Sequence, residues 1–196
     1  MHEKPSLLSR FVRAGVLGLF RLKGWSVAGQ APGVRKCVIL GAPHTSNWDF
    51  VYFLGVTDYF GFKPGFMGKL SLFMGPLGRF MHDMGGVPVD RSGVRNVVDS
   101  IAAEFARRDD LMLVIAPEGT RSGAYGWRSG FYHIAMAAGV PVVCGWFDLA
   151  RRRGGLSAPM DMTGDYPADM ARIAGFYQSV MPGHPRLAGI TQPVET

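Results

Sequence analysis

Residues 94–115 read VRNVVDSIAAEFARRDDLMLVI, and this stretch decides the fold. In its first part, apolar residues recur at helical spacing, which predicts a helix over residues 94–107 with one face on a core. Its last part, residues 111–115, is entirely apolar, as is typical of a strand buried on both faces of a parallel sheet. A helix that leads directly into a buried strand indicates an α/β layer fold.

The same alternation continues on both sides of this stretch. Further short strands are predicted at residues 36–40, 87–89 and 140–147. Further helices are predicted at residues 6–22, 47–60, 69–84, 130–138 and 167–180. We therefore expect an α/β fold with a mixed, mostly parallel central sheet that is flanked by helices and preceded by an amphipathic N-terminal helix.

The chain has 196 residues, which is the length of a single domain. Within residues 1–196 we distinguish three parts of one domain. These are the N-terminal helix over residues 6–22, a motif-bearing core over residues 36–147 and a C-terminal extension over residues 148–196. The run Arg151–Arg153, followed by two glycines, predicts a surface loop in the extension.

The composition excludes a disordered chain, because 47% of the residues are hydrophobic and only 18% are charged. Lys and Arg total 21 against 15 Asp and Glu, which gives a net charge of +6. A basic chain rich in arginine suits nucleic acid, an anionic membrane surface or a phosphorylated small substrate. Cys37 and Cys144 each lie in an apolar run, which predicts two buried free thiols.

The N-terminal helix and the longest uncharged stretch both bear on membranes. Residues 6–22 place most of their apolar side chains on one arc, so this helix either lies on a membrane or packs on its own domain. The pattern leaves both open. Residues 129–147 lack Asp, Glu, Lys and Arg but contain His133, Pro141 and several glycines. We interpret them as a helix, a turn and a strand, not as a membrane span.

His44 and Asp49 follow the first strand of the core, where the chain turns into a helix. A neutral histidine is the usual general base near neutral pH, and a carboxylate on its far nitrogen fixes its tautomer. The spacing allows Asp49 to fold back towards the ring, so the pair is a candidate catalytic site. In the alternative interpretation, His44 is an ordinary loop residue and Asp49 begins the helix.

Two single cations occupy positions where α/β folds bind ligands. Arg91 follows the strand at residues 87–89, and it either holds a phosphate bidentately or pairs with a neighbouring acid. Lys69 precedes the helix predicted at residues 69–84, and it either reaches a phosphate or is a solvated residue at a helix start.

The turn after the strand at residues 111–115 is a further candidate. It contains Pro117, small residues and a cation, so its backbone N–H groups suit an anion. The alternative is an ordinary connection between a strand and a loop. The candidate binding residues of this turn are Glu118, Gly119, Thr120 and Arg121.

Several standard sites are absent from the sequence. Gly68-Lys69 lacks the other positions of a phosphate-binding P-loop. Residues 24–28 lack the final glycine and the strand–turn–helix context of a nucleophile elbow. No G-x-G-x-x-G occurs, and the histidines and cysteines lack the spacing of metal ligands. We therefore expect neither a bound cofactor nor a bound metal.

Taken in order, four blocks of the chain resemble those of the glycerol-phosphate and lysophospholipid acyltransferase family. The resemblance covers residues 36–147, and the tail at residues 162–170 looks like that of a compact bacterial subgroup. The blocks are a His-x4-Asp block at His44–Asp49, a block at Gly86–Arg91, a Pro-Glu-Gly-Thr-Arg block at Pro117–Ser122 and an apolar block with a proline at Val140–Val143.

This resemblance implies a reaction, two substrates and a set of site residues. An acyl group moves from a thioester of coenzyme A or acyl carrier protein to the hydroxyl of a lysophospholipid, with 1-acyl-glycerol-3-phosphate as the default acceptor. His44 takes the role of general base and Asp49 orients it, without an acyl-enzyme. The implied setting is phospholipid biosynthesis by a peripheral protein on the cytoplasmic side of the membrane. The implied acceptor-binding residues are Lys69, Arg91, Glu118, Gly119, Thr120 and Arg121.

Two other classes of function compete with this one. A non-catalytic lipid- or membrane-binding protein would use the same basic helix and pocket without turnover. Nucleic-acid binding is suggested only by the charge, because the basic residues are spread along the chain and no strand face alternates basic and aromatic residues. We therefore expect no nucleic-acid partner.

Overall fold

The computed structural model describes residues 7–43, 48–75, 78–89, 94–118, 127–187 and 190. Within these residues, seven strands form one sheet: β1 (Ser26–Ala28), β2 (Lys36–Ala42), β3 (Pro64–Lys69), β4 (Gly86–Val89), β5 (Leu111–Ile115), β6 (Val142–Asp148) and β7 (Arg153–Leu156). The α-helices are α1 (Leu7–Leu22), α2 (Trp48–Tyr59), α3 (Gly78–Asp83), α4 (Val94–Arg107), α5 (Gly130–Ala138) and α6 (Tyr166–Val180), and short 3-10 helices cover Leu70–Leu72 and Pro185–Leu187.

The sheet has the order β1-β7-β6-β2-β5-β3-β4. Strands β6, β2, β5, β3 and β4 are all parallel, whereas β7 runs antiparallel to β6 and parallel to β1. The carboxyl ends of five neighbouring strands therefore open at one edge of the sheet, which we call the carboxyl edge. The expected α/β fold with a mostly parallel central sheet is confirmed.

Helices cover both faces of the sheet, and β2 shows how its side chains divide between them. Val38 and Leu40 belong to the core beneath α4, α5 and α6, together with Phe105 of α4. Cys37 and Ile39 belong to the core beneath α1 and α2. This alternation follows from the strand geometry, in which successive side chains point to opposite faces. All four of these β2 residues are fully buried, as expected of a central parallel strand.

The bounds predicted for α4, β5 and α5 match those of the structure. The single helix expected over residues 69–84 is wrong, because Lys69 ends a strand and only Gly78–Asp83 is α-helical. Two glycines and a proline hid β3, since these residues normally disfavour strands. The packing needs them: a Cβ at Gly65 would lie 2.9 Å from Leu111 Cδ1, and one at Gly68 would lie 2.7 Å from Phe73 Cε2.

The surface loop expected at Arg151–Arg153 ends earlier than predicted. Arg151 and Arg152 form a turn, but β7 begins at Arg153 and continues through the two glycines. A Cβ at Gly155 would overlap the carbonyl oxygen of Ala28 on β1. The glycines that suggested a loop are therefore what allow β7 to pair closely with β1.

Helix α6 is held on its face of the sheet by a buried carboxylate. Asp169 is fully buried and accepts hydrogen bonds from the Tyr132 hydroxyl at 3.0 Å and from the Thr163 backbone N–H at 2.7 Å. The Thr163 hydroxyl also donates to it, and Arg172 Nη1 donates to its second oxygen at 3.0 Å. This network joins α5, the segment before α6 and α6 itself.

Both cysteines are free and buried, as predicted. They lie on opposite faces of the sheet, Cys37 in the core beneath α1 and α2 and Cys144 in the core beneath α4, α5 and α6. Burial raises the pKa of each thiol to about 12. Both are therefore protonated and unreactive near neutral pH.

The helices within the described residues are too short or too polar to cross a membrane. The apolar side chains of helix α1 are partly buried and partly exposed. Phe20 is buried against α2, whereas Leu7, Leu8 and Phe11 are 69%, 59% and 75% exposed. The half of α1 near its carboxyl end thus packs on the domain, while its first two turns present apolar side chains to solvent.

Candidate active site

At the carboxyl edge, the position between β2 and β5 is a candidate crevice for a ligand. These two strands are neighbours and run parallel, with Leu40 opposite Ile115. The chain leaves β2 towards α2 on one face of the sheet and leaves β5 towards α5 on the other face. In open α/β sheets, ligands bind beyond the carboxyl ends of neighbouring strands whose outgoing connections pass to opposite faces of the sheet. The topology therefore makes the space beyond the ends of β2 and β5 a candidate binding position.

The first of these segments contains the predicted catalytic pair. Strand β2 ends at Ala42, opposite Trp146 of β6, and buried Pro43 follows through a cis peptide bond. His44 lies outside the described residues, one position beyond Pro43. The backbone of Asp49 lies in the first turn of α2, and its side chain is outside the described part. His44 thus follows β2 by two positions in the chain, and its pairing with Asp49 stays a prediction.

The second segment begins with a buried acid. Pro117 and Glu118 follow β5, and Glu118 is only 8% exposed. The carbonyl oxygen of Pro117 accepts a hydrogen bond from the Arg128 backbone N–H at 2.9 Å. This hydrogen bond links the two ends of the segment that runs from Pro117 to Arg128. The predicted binding residues Gly119, Thr120 and Arg121 lie outside the described residues. Their role as binding residues stays a prediction from the sequence.

The two remaining cations belong to the next strands along the same edge. Lys69 is the last residue of β3 and is exposed, and it lies opposite Val89, the last residue of β4. Arg91 follows Val89 by two positions and lies outside the described residues. Because β3 and β4 end level with each other, Lys69 lies beside the last residue of β4 at the carboxyl edge.

A buried layer beneath the crevice was not predicted from the sequence. Tyr177 of α6 is fully buried, and its hydroxyl lies 3.0 Å from the Gly145 carbonyl oxygen and 3.3 Å from the Leu40 carbonyl oxygen. Burial raises the pKa of Tyr177 well above its usual value, and neighbouring Cys144 and Glu118 add to this effect. A neutral hydroxyl donor therefore bridges the carboxyl halves of β2 and β6.

The indole of Trp127 completes this layer. It is 2% exposed and packs edge-on against Tyr177, with ring centroids 5.3 Å apart. Its Nε1 is buried without a hydrogen-bond partner among the described residues. Helical spacing placed Tyr177 on a closing helix, but no local signal shows that this helix reaches the ends of β2 and β6. That contact depends on the tertiary fold.

A metal-assisted site has no support from the described residues. They contain no group of three histidine, cysteine, aspartate or glutamate side chains that is placed to hold a metal ion. Of the predicted binding residues, the structure describes exposed Lys69 and buried Glu118.

The fold defines an α/β protein with a candidate ligand site at the carboxyl edge of a mostly parallel sheet. A comparison with family models makes the class specific. The chain belongs to the Acyltransferase family, whose model matches residues 28–147. No curated protein matches the chain, and no solved structure does. The matched range extends from the end of β1 to β6 and contains all of the predicted site residues. The protein is therefore an acyltransferase.

Proposed function

We propose that the protein transfers a fatty acyl group from an acyl thioester to the hydroxyl of a lysophospholipid, with 1-acyl-glycerol-3-phosphate as the acceptor. The donor is acyl coenzyme A or acyl carrier protein. The observation that carries this proposal is the sheet topology. Parallel pairing makes β2, β3, β4 and β5 end at one edge, so the segments bearing His44, Lys69, Arg91 and Glu118 all leave the sheet there.

In the proposed reaction, His44 acts as the general base. Its imidazole takes the proton of the acceptor hydroxyl as the hydroxyl oxygen attacks the thioester carbonyl carbon. The tetrahedral intermediate then collapses, the carbon–sulfur bond breaks, and the leaving thiolate takes the proton back from the imidazolium. Asp49 holds the imidazole in the required tautomer and stabilises its protonated form.

Direct transfer is favoured over an acyl-enzyme by the state of the two thiols. Cys37 and Cys144 are fully buried, and burial raises the pKa of each to about 12. A cysteine nucleophile must be accessible and must form a thiolate, and neither residue meets these conditions. The only oxygen nucleophile that the proposal needs is the hydroxyl of the acceptor itself.

The charges at the carboxyl edge suit an acceptor that carries a phosphate. Lys69, Arg91 and Arg121 supply cations at three strand ends, and a phosphate is bound well by such groups. In the proposal, Glu118, Gly119 and Thr120 bind the glycerol part through polar groups and the backbone. The buried position of Glu118 supports a role inside the crevice rather than at the solvent surface.

We further propose that the protein works as a peripheral protein at the cytoplasmic membrane surface. Leu7, Leu8 and Phe11 form an exposed apolar patch on α1. Exposed apolar side chains next to basic ones are typical of helices that lie in the membrane interface. Such contact would bring the crevice close to lipid acceptors, whose acyl chains remain in the bilayer.

Thiol release tests this proposal. Purified protein is mixed with liposomes, a long-chain acyl thioester and 1-acyl-glycerol-3-phosphate, and the free thiol is measured with and without acceptor. We expect release that requires the acceptor and that falls about a hundredfold or more in His44→Ala. The matched control is His133→Ala, because His133 lies exposed on α5.

Three outcomes separate the proposal from its competitors. Release that persists in His44→Ala contradicts the role of the histidine. Release with other lysolipids but not with 1-acyl-glycerol-3-phosphate contradicts the acceptor and keeps the reaction. Saturable binding of lysolipid without release from either donor would identify a lipid-binding protein without turnover.

A further inference from the structure

A cleft of about 460 Å³ opens near the carboxyl edge between α1, α2 and the β6–β7 turn. A volume of this size is typical of small-molecule sites. The turn after β6 and the end of α1 meet here, because the Ser26 backbone N–H donates to the Arg152 carbonyl oxygen at 3.0 Å. The residues that line the cleft are Leu22, Lys23, Trp25, Tyr52, Leu149 and Arg152. Lys69 and Glu118 are not among them.

Two cations meet in this cleft. Arg152 Nη1 donates a hydrogen bond to the carbonyl oxygen of Lys23 at 3.2 Å, which holds the guanidinium at the end of α1. Among the described residues, the neighbouring arginines have carboxylate partners: Arg21 pairs with Asp58 and Arg151 with Asp148. Within the same part of the chain, Arg152 has no carboxylate partner.

The backbone of Arg152 supports a role for its side chain. Its φ of 49° lies in the left-handed region, where glycine is the favoured residue. A larger residue in this conformation costs free energy, and such residues are common at binding sites. Among the described residues, the side-chain contact of this arginine is at the mouth of the cleft.

The remaining walls are aromatic and aliphatic. The Trp25 ring stacks on Tyr52 with centroids 4.3 Å apart and on Phe20 with centroids 5.6 Å apart, so it forms a fixed wall. Leu22 is 88% exposed and Leu149 is 44% exposed, and both lie at the rim. The cleft thus combines two cations with an exposed apolar rim on the helix that also carries the apolar patch of Leu7, Leu8 and Phe11.

We propose that this cleft binds the phosphate of an anionic membrane lipid, with Lys23 and Arg152 on the phosphate and Leu22 and Leu149 against the start of the acyl chains. The apolar rim favours a lipid over a nucleotide, because a nucleotide would leave both leucines exposed to water. Two rings already stack on Trp25, which leaves little of its surface for a purine. This proposal does not require that the protein turn over lysolipid.

Vesicle binding provides the test. The intact protein and the double variant Lys23→Gln/Arg152→Gln are partitioned onto vesicles of phosphatidylcholine alone and of phosphatidylcholine mixed with phosphatidylglycerol. Charge-assisted hydrogen bonds from two cations to one phosphate add to the attraction that any basic surface has for an anionic membrane, so we expect the double variant to bind the mixed vesicles about 30-fold more weakly. Binding to phosphatidylcholine alone should be unchanged. Thermal unfolding of each variant verifies that it is folded.

Two matched double variants separate a site from the general field of a basic surface. Arg21→Gln/Arg151→Gln removes the same charge from the same surface without altering the cleft lining. Arg35→Gln/Lys63→Gln removes two positive charges at the opposite edge of the sheet, just before β2 and β3. We expect losses of less than about threefold for both controls. An equal loss in the Arg21/Arg151 variant would overturn the proposal in favour of a diffuse field.

A soluble probe tests the occupant. Dihexanoyl phosphatidic acid, kept below the concentration at which it forms micelles, should bind the intact protein saturably and bind the Lys23/Arg152 variant much more weakly. If coenzyme A displaces this probe while inorganic phosphate does not, the cleft takes the donor nucleotide and the lipid proposal is wrong. These outcomes are independent of thiol release, so the failure of one proposal does not decide the other.

Discussion

Helices α5 and α1 are both rich in apolar residues, and they lie on opposite faces of the sheet, but they differ in how much of that surface is buried. Phe131, Tyr132 and Ile134 of α5 are all buried between the sheet and its neighbouring helices. In α1, Phe20 is buried, whereas Leu7 and Phe11 are mostly exposed. Apolar composition alone therefore does not separate a helix that stabilises the fold from one that contacts something else.

The difference between the two helices lies in their neighbours. Helix α5 follows the central strand β5 and is covered by α4 on one side and by the network around Asp169 on the other. Helix α1 has α2 beneath its second half, while its first two turns extend beyond that support. Apolar groups that have packing partners contribute to stability, and apolar groups without them contribute to binding. The predictions below test this separation.

A large effect on stability is expected at Asp169. Removal of its carboxylate in Asp169→Ala leaves the Tyr132 hydroxyl, the Thr163 N–H and one donor of Arg172 without their acceptor. We expect the free energy of unfolding to fall by about 3 kcal/mol, because several donors lose a charged partner at once. Urea unfolding measures this change. Asp161→Ala is the matched control, because Asp161 is exposed, and we expect it to change stability by less than about 0.5 kcal/mol.

The same carboxylate predicts an acid limit to stability. Burial alone would raise the pKa of Asp169, but hydrogen bonds from Thr163, Tyr132 and Arg172 outweigh it and hold that pKa below its usual value. A lowered folded-state pKa gives stability that is present above the unfolded-state pKa and is lost as the pH falls through the folded-state value. We therefore expect stability to fall below about pH 4, and to fall less steeply in Asp169→Asn. Equal slopes in the two proteins would contradict this assignment.

Much of the fold is encoded locally, and the exceptions are informative. Residues 94–115 specify a helix and a buried strand through spacing alone, and the structure agrees with both. Strands β3 and β7 escaped prediction because their glycines serve distant neighbours: Gly65 accommodates Leu111, and Gly155 accommodates the backbone of Ala28. A sequence pattern reports the conformation that a residue prefers, and it cannot report which neighbour demands a missing side chain.

The candidate site divides in the same way. The positions of His44, Arg91 and Glu118 after apolar runs predict that they follow strand ends, and parallel pairing does bring the ends of β2, β4 and β5 to one edge. Tyr177 could not be anticipated, because its contact with Leu40 and Gly145 joins residues that are far apart in the chain. Motifs identify the loops of such a site, whereas the layer that supports them depends on tertiary packing.

A small effect on stability is expected at Phe11, which can be compared directly with buried Phe20. Phe11 and Phe20 lie on the same helix, but Phe11 is 75% exposed and Phe20 is 6% exposed. We expect Phe20→Ala to lower the free energy of unfolding by about 3 kcal/mol and Phe11→Ala to change it by less than about 0.5 kcal/mol. For binding of the folded proteins to phosphatidylcholine vesicles, Phe11→Ala should have the larger effect of the two variants. We expect it to bind about tenfold more weakly, because only the exposed ring can enter the membrane interface. If Phe11→Ala leaves vesicle binding unchanged, the first two turns of α1 do not contact the membrane, and the exposed apolar patch needs another partner.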